Sequence, residues 1–147
     1  MNIRSRQSGE IPVLVEIWLR SVRATHGFLS EQDIAALEPL VREQVLPKLE
    51  VWVLETDAPI GFMALKGNSV EGLFIDPAHI GAGGGRLLLE HARRLKGPLL
   101  VDVNEQNPAA LRFYLANGFE VIGRSETDSG GRPFPLLHLR EAGGSSS

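Results

Sequence analysis

Leu73-Phe74-Ile75-Asp76-Pro77-Ala78-His79-Ile80-Gly81-Ala82-Gly83-Gly84-Gly85-Arg86-Leu87-Leu88 is the stretch on which the reading of this chain turns. An apolar run ends at Ile75, Asp76-Pro77 breaks it, and four glycines follow between Gly81 and Gly85 before apolar residues resume at helical spacing. The pattern predicts a buried strand that passes through a glycine turn into the N-terminus of a helix. Glycine carries no Cβ, so a ligand can approach the backbone closely, and it tolerates positive φ. First-turn amides of a helix point outward with the helix dipole behind them, which suits a phosphate or pyrophosphate. Arg86 adds a positive charge at the same place.

Several anion-binding patterns share such a turn. A P-loop requires Gly-Lys-Ser/Thr after the glycines, and none is present. The dinucleotide fingerprint needs a glycine three residues after Gly83, where Arg86 stands, and it belongs to the first strand-to-helix turn of a domain. This turn follows an internal strand. A second stretch decides the matter: Asn107-Pro108-Ala109-Ala110-Leu111-Arg112-Phe113-Tyr114-Leu115-Ala116-Asn117-Gly118-Phe119. Asn107 is a good N-cap, Pro108 suits the first helical position, and Gly118 closes a short helix. The first stretch reads Asp-Pro, then Gly-x-Gly-x-Gly-Arg-x-Leu-Leu; the second reads Asn-x-x-Ala-x-x-Phe-Tyr-x-x-x-Gly-Phe. In this order, with a strand between them, they resemble the acyl-CoA signature of the GNAT N-acetyltransferase superfamily. One position departs: the family usually has Gln or Arg before the first glycine, and this chain has Ile80.

The resemblance implies a transfer of an acetyl group from acetyl-CoA to a primary amine. Gly81, Ala82, Gly83, Gly84, Gly85 and Arg86 would hold the pyrophosphate, and Leu73, Phe74 and Ile75 would pair with the pantetheine arm as with an added strand. Asn107 would hydrogen-bond that arm, besides capping its own helix. Expulsion of a thiolate calls for a general acid, and Tyr114, the only tyrosine, stands where the family places one. The attacking ammonium must lose a proton, since it has no lone pair. Asp102, alone in an apolar strand, and Glu71, on the preceding strand, are the candidate bases. His26 and Phe28, in the loop Thr25-His26-Gly27-Phe28-Leu29, are the substrate-side candidates, with His26 a third candidate base. Trp18, Phe28, Phe62 and Met63 are candidates for the acceptor-pocket lining, set against the commoner reading of such residues as plain core.

Outward from these motifs, Leu14, Ile17, Trp18 and Val22 mark one face of a first helix over about Glu10 to Ala24. Ser30-x-x-Asp33 caps a second helix that stops near Pro47. Val51–Glu55 and Ile60–Leu65 read as a hairpin, Ser69–Ile75 as a third strand, and Ile3 as part of a short first one. The helix after the glycines would turn Leu87, Leu88, His91, Ala92 and Leu95 inward. Pro98–Val103 is a further strand, and Phe119–Gly123 and Phe134–Leu139 are the last two, with Pro135 suggesting an edge position. The expected class is α/β, a mixed sheet with helices on both faces. By resemblance it is one GNAT-like domain over residues 1–141, mostly antiparallel with a splayed parallel pair, followed by a flexible tail over 142–147.

The chain has 147 residues, 43% apolar and 22% charged, with a net charge of −3, which fits one ordinary globular domain and no general polyanion binder. Nucleic acid is therefore not an expected partner. Zero cysteines exclude disulfides, thiolate metal sites and thiol catalysis, and no metal is expected. No apolar run approaches the roughly 18 residues of a membrane span, and Met1–Gly9 lacks the apolar core of a signal peptide. A cytoplasmic protein, monomer or homodimer, is expected. A non-catalytic acyl-CoA sensor of the same fold is the alternative function, and a nucleotide-binding domain built on Gly81–Gly85 is a third.

Overall fold

A computed structural model describes residues 1–142. The expected flexible tail lies, apart from Ala142, outside the described residues. Seven strands form one sheet in the order β1-β2-β3-β4-β5-β7-β6. They are β1 (Asn2–Ser5), β2 (Glu50–Glu55), β3 (Pro59–Lys66), β4 (Ser69–Ile75), β5 (Leu100–Asn104), β6 (Phe119–Ser125) and β7 (Leu136–Glu141). Four α-helices accompany them: α1 (Ile11–Thr25), α2 (Glu31–Leu40), α3 (Gly84–Lys96) and α4 (Pro108–Ala116). The expected α/β class, with helices on both faces of a mostly antiparallel sheet, is what the chain adopts.

Alternation along β2 and β3 divides the core. Val51, Val53, Phe62 and Ala64 pack with Leu14, Ile17, Trp18 and Val22 of α1 and Ile34 of α2. Leu54, Met63 and Leu65 face the other way, onto Leu88, Leu89 and Ala92 of α3 and Tyr114 of α4. Each large apolar side chain buried in this way contributes roughly 1.5–3 kcal/mol. Ser30 and Asp33 form the capping box at the start of α2, each side chain bonding the other's backbone amide. Pro39 lies inside α2, and the chain continues as a wider turn over Val41–Val45, closed by Leu46 N–H to the Val41 carbonyl at 3.0 Å.

Two expectations are corrected. The inward stripe of α3 is Leu88, Leu89 and Ala92, while Leu87 and Leu95 are 37% and 49% exposed. Gly84 sets this rotation: a Cβ there would stand 2.5 Å from Leu54 Cδ2, so the helix start rests directly on β2. Nor is the last strand an edge. β7 inserts between β5 and β6, leaving β6 outermost. Pro135 escapes the ladder because it precedes β7, and its carbonyl accepts from Glu105 N at 2.8 Å.

The sheet's one parallel contact creates the site. β4 and β5 pair at Ser69–Leu100 and Val70–Val101 and then separate. On the other side of β4, Gly72 faces Ala64 and Val70 faces Leu65, so Glu71 is the extra residue of a β-bulge. The bulge bends β4 away from β5 just where their pairing stops.

Candidate active site

The turn after β4 is held by its own sequence. The Asp76 carboxylate accepts from Ala78 N at 3.2 Å and from Arg20 of α1 at 2.6 Å, which fastens the single turn Pro77–His79 to the first helix. Gly81 and Gly83 then take φ of 90° and 88°, a region that strains any side-chain-bearing residue. Gly83 is the N-cap of α3 and brings no side-chain cap. The first helical bond at its carbonyl comes from Leu87 N, so the amides of Gly84, Gly85 and Arg86 have no partner within the helix. Arg86 is largely exposed and pairs with Glu90 one turn on, at 3.3 Å.

Beside this turn, between the diverging strands, opens a cavity of about 410 Å³, a volume suited to a sizeable ligand. Its walls bring together Leu73, Phe74 and Ile75 of β4, Gly81 and Gly83 of the turn, Gly84, Gly85 and Arg86 at the start of α3, Asn107 at the cap of α4 and Tyr114 within it. His26 also lines it, from the end of α1. Ala82 does not. Phe28 stands one layer back, its ring 5.3 Å from that of His26 and 6.0 Å from that of Phe134, so an aromatic row joins the α1–α2 loop to the β6–β7 connection. Trp18, Phe62 and Met63 are 3%, 0% and 0% exposed and belong to the core.

Tyr114 is almost wholly enclosed by Phe113, Phe119 and the cavity wall, and burial pushes its phenol up from the ordinary value. The group therefore stays protonated through the physiological range and has a proton to give. His26 is the reverse case, since burial lowers its imidazole below the ordinary range. Its tautomer follows from its neighbours. Thr25 Oγ1 donates to the Ser21 carbonyl at 2.8 Å and lies 2.7 Å from His26 Nδ1, so Nδ1 carries the hydrogen. Nε2 is left with its lone pair, 3.4 Å from Asn107 Nδ2. The Asn107 side chain is itself oriented by capping, its Oδ1 accepting from Ala110 N at 3.2 Å.

The two carboxylates stand apart from the cavity. Glu71, the bulge residue, is exposed and accepts from Ser69 Oγ at 2.7 Å. Asp102 is exposed on the sheet face opposite α3 and α4, with Oδ1 2.6 Å from His138 Nδ1. Ile80, the position that departs from the family pattern, lines the cavity too, as do Ala110 and Phe113 of the second motif; Ser21, Thr25, His79 and Ala109 complete it and have no role in the sequence reading. Ser21, a buried hydroxyl within the apolar stripe of α1, and the adjacent small residues at the start of α4 are the signals that could have found them.

The model of the acetyltransferase (GNAT) domain matches residues 47–121, from before β2 into β6. The chain is 48% identical over 145 residues to the peptidyl-lysine N-acetyltransferase YjaB of Escherichia coli, covering 97% of this chain and 98% of that protein. It is 30% identical over 122 residues to the peptidyl-lysine N-acetyltransferase YiaC of the same organism, with 82% and 84% covered. The solution structure of apo YjaB superposes with a TM-score of 0.88 over 96% of this chain and 97% of that one. The PaiA N-acetyltransferase of Thermoplasma acidophilum, solved with coenzyme A, shares the fold with a TM-score of 0.74 at 22% identity, over 96% and 99% of the two chains. The chain belongs to the GNAT family and is an N-acetyltransferase.

Proposed function

We propose that this protein transfers the acetyl group of acetyl-CoA to the side-chain amine of lysine in a polypeptide, using Tyr114 as general acid and His26 as proton acceptor. The observation that carries this reading is the cavity itself. It joins uncapped helix amides at Gly84–Arg86 to a buried phenol and to an imidazole whose charged form burial disfavours. The peptidyl-lysine activity of the relatives at 48% and 30% identity supports the choice of acceptor. A cysteine-free chain is compatible with the cytoplasm as its place of work.

The cavity suits the cosubstrate on its own chemistry. Open space lies where Cβ atoms of Gly81 and Gly83 would project, and the free amides of α3 with Arg86 would hold the pyrophosphate. The edge of β4 that β5 leaves unpaired beyond Val70 would take the pantetheine amides, aided by Asn107. Bound there, acetyl-CoA supplies a thioester activated toward amines. The protein's own groups handle protons. His26 Nε2 takes one from the incoming ammonium, so that the amine can attack. Tyr114 gives one to the departing thiolate. Burial favours the neutral form of both groups, which is the form each role requires. Asp102 and Glu71 take no part in this arrangement.

The test is acetylation of a lysine-containing peptide followed by mass spectrometry, with Tyr114→Phe as the variant. The wild type should add acetyl groups to lysine, and the variant should lose about 10²–10⁴-fold in kcat while melting as the wild type does. Full activity in the variant would remove the acid role. A wild type that acetylates free amines but no peptide would remove the polypeptide acceptor.

A further inference from the structure

On the face of the sheet that α1 and α2 leave uncovered, β5, β7 and β6 bring three side chains into line. Asp102 and His138 face each other in the β5–β7 register, and Ser125 lies beyond them near the end of β6. His138 Nδ1 is 2.6 Å from Asp102 Oδ1, and His138 Nε2 is 2.6 Å from Ser125 Oγ. An ionised carboxylate only accepts, so Nδ1 carries the hydrogen and Nε2 presents its lone pair to the serine hydroxyl, which donates to it. Hydroxyl, imidazole and carboxylate thus stand in the order of nucleophile, base and orienting group. The arrangement needs no assistance from the acetyl-transfer cavity, which none of the three lines.

The charged neighbours on these strands are engaged elsewhere. Arg140 pairs with Glu120 at 3.2 Å, and Arg124 pairs with Glu105 and Glu126 at 2.6 Å each. Neither guanidinium takes the Asp102 oxygen that holds the imidazole. His138 and Ser125 are partly exposed, so a small acyl donor can reach the hydroxyl from solvent.

We propose that Ser125 is a second acyl-accepting site, a nucleophile activated by His138 and Asp102 that takes the acyl group of small activated esters and thioesters and passes it to water. Ser125 Oγ bonds to the acyl carbon, the ester C–O or thioester C–S bond breaks, and the serine proton moves through His138 Nε2 to the leaving oxygen or sulfur. In the second half His138 takes a proton from water, the hydroxide part joins the acyl carbon, the bond from that carbon to Ser125 Oγ breaks, and the proton passes from His138 Nε2 to Ser125 Oγ. The net change is ester plus water to acid plus alcohol or thiol. Because the face is open, water solvates the developing oxyanion, so turnover is slow and the covalent step is the clearer readout.

The experiment treats the folded protein with a fluorophosphonate and, separately, with p-nitrophenyl acetate. Intact mass and peptide mapping should place one phosphonyl adduct on Ser125. Ser125→Ala should lose the adduct, and Ser125→Ala and His138→Gln should each lower protein-dependent p-nitrophenyl acetate hydrolysis by about tenfold or more. Peptide acetylation by Ser125→Ala, unchanged within about twofold, reports that the fold is intact; the site does not rest on the lysine reading, and either can fail alone. An adduct elsewhere, no adduct on a folded wild type, or hydrolysis unaffected by both substitutions would overturn the proposal.

Discussion

The two halves of the sheet differ in how they are covered. β2, β3 and β4 carry helices on both faces, with α1 and α2 on one side and α3 on the other. β5, β7 and β6 pack only toward α3 and α4. Their outer face shows Leu100 and Arg140 to solvent and carries the ladder of Asp102, His138 and Ser125. The halves meet at two residue pairs, after which they part. The cleft at the seam thus has a doubly covered layer on one side and a singly covered one on the other. A site formed where a doubly covered layer meets a more open one is packed from both faces on the β4 side and opens toward solvent on the other.

The largest effect expected from this contrast is on stability. Phe62 is 0% exposed between β3 and α1, with its ring 5.5 Å from that of Phe74. Phe62→Ala should cost about 3–5 kcal/mol by urea denaturation. Ile122, 51% exposed at the bulge of β6, should cost within about 0.5 kcal/mol on the same change. Equal losses would erase the distinction between the halves.

Next in size is the imidazole of the cleft. His26→Gln should lower kcat by about 10²-fold, close to 2.7 kcal/mol of barrier. In the wild type, kcat should rise with pH through a single step whose midpoint lies below the ordinary imidazole value of about 6.5, because burial lowers His26. Stability follows the same sign. The unfolded chain binds protons on His26 and on His91, also lowered by burial, before the folded one does. Their contribution is whole above about 6.5 and is lost as pH falls through the folded values. A rate step at or above 6.5, or its persistence in His26→Gln, would exclude His26 as the acceptor.

The smallest effect tests the doubly covered side at its margin. Ser30→Ala removes one arm of the α2 capping box and should cost about 1 kcal/mol with kcat unchanged. A fall in kcat would mean that α2 and the loop carrying His26 and Phe28 are coupled more closely than their packing implies.

How much of this was legible in the sequence follows the range of the interactions involved. Gly81 to Gly85, the Asn107 cap and the Ser30–Asp33 box are local, each readable within a few residues, and the structure has them as read. The seam between β4 and β5 also followed, since the family pattern carries it. What depends on strand order did not follow. β7 inserts between β5 and β6, which makes Pro135 a residue outside the ladder and not the mark of an edge, and which sets His138 against Asp102. A carboxylate in an apolar strand looks the same in sequence whether it faces a cleft or a histidine from a strand far along the chain. The rotation of α3 is hidden for a related reason, because Leu87 to Leu89 fit a helical stripe in more than one phase and a contact between Gly84 and Leu54 chooses among them. His26 is visible in the sequence only as an isolated histidine; the role proposed for it rests on contacts with Thr25 and Asn107, which lie on different elements.

The most direct test of the account is calorimetric titration of the folded protein with acetyl-CoA, repeated with Gly83→Trp and with Ala109→Trp. Gly83 lies at the turn and Ala109 on the facing helix wall, so the two indoles enter the same cavity from opposite sides, and Ala109→Trp does so without a positive φ. Binding to the wild type should be micromolar, on the order of −8 kcal/mol, and should be lost in both variants while thermal unfolding of Ala109→Trp remains cooperative. Unchanged binding in both variants, or none to the wild type, would contradict the claim that the glycine-lined cleft is where acetyl-CoA is held.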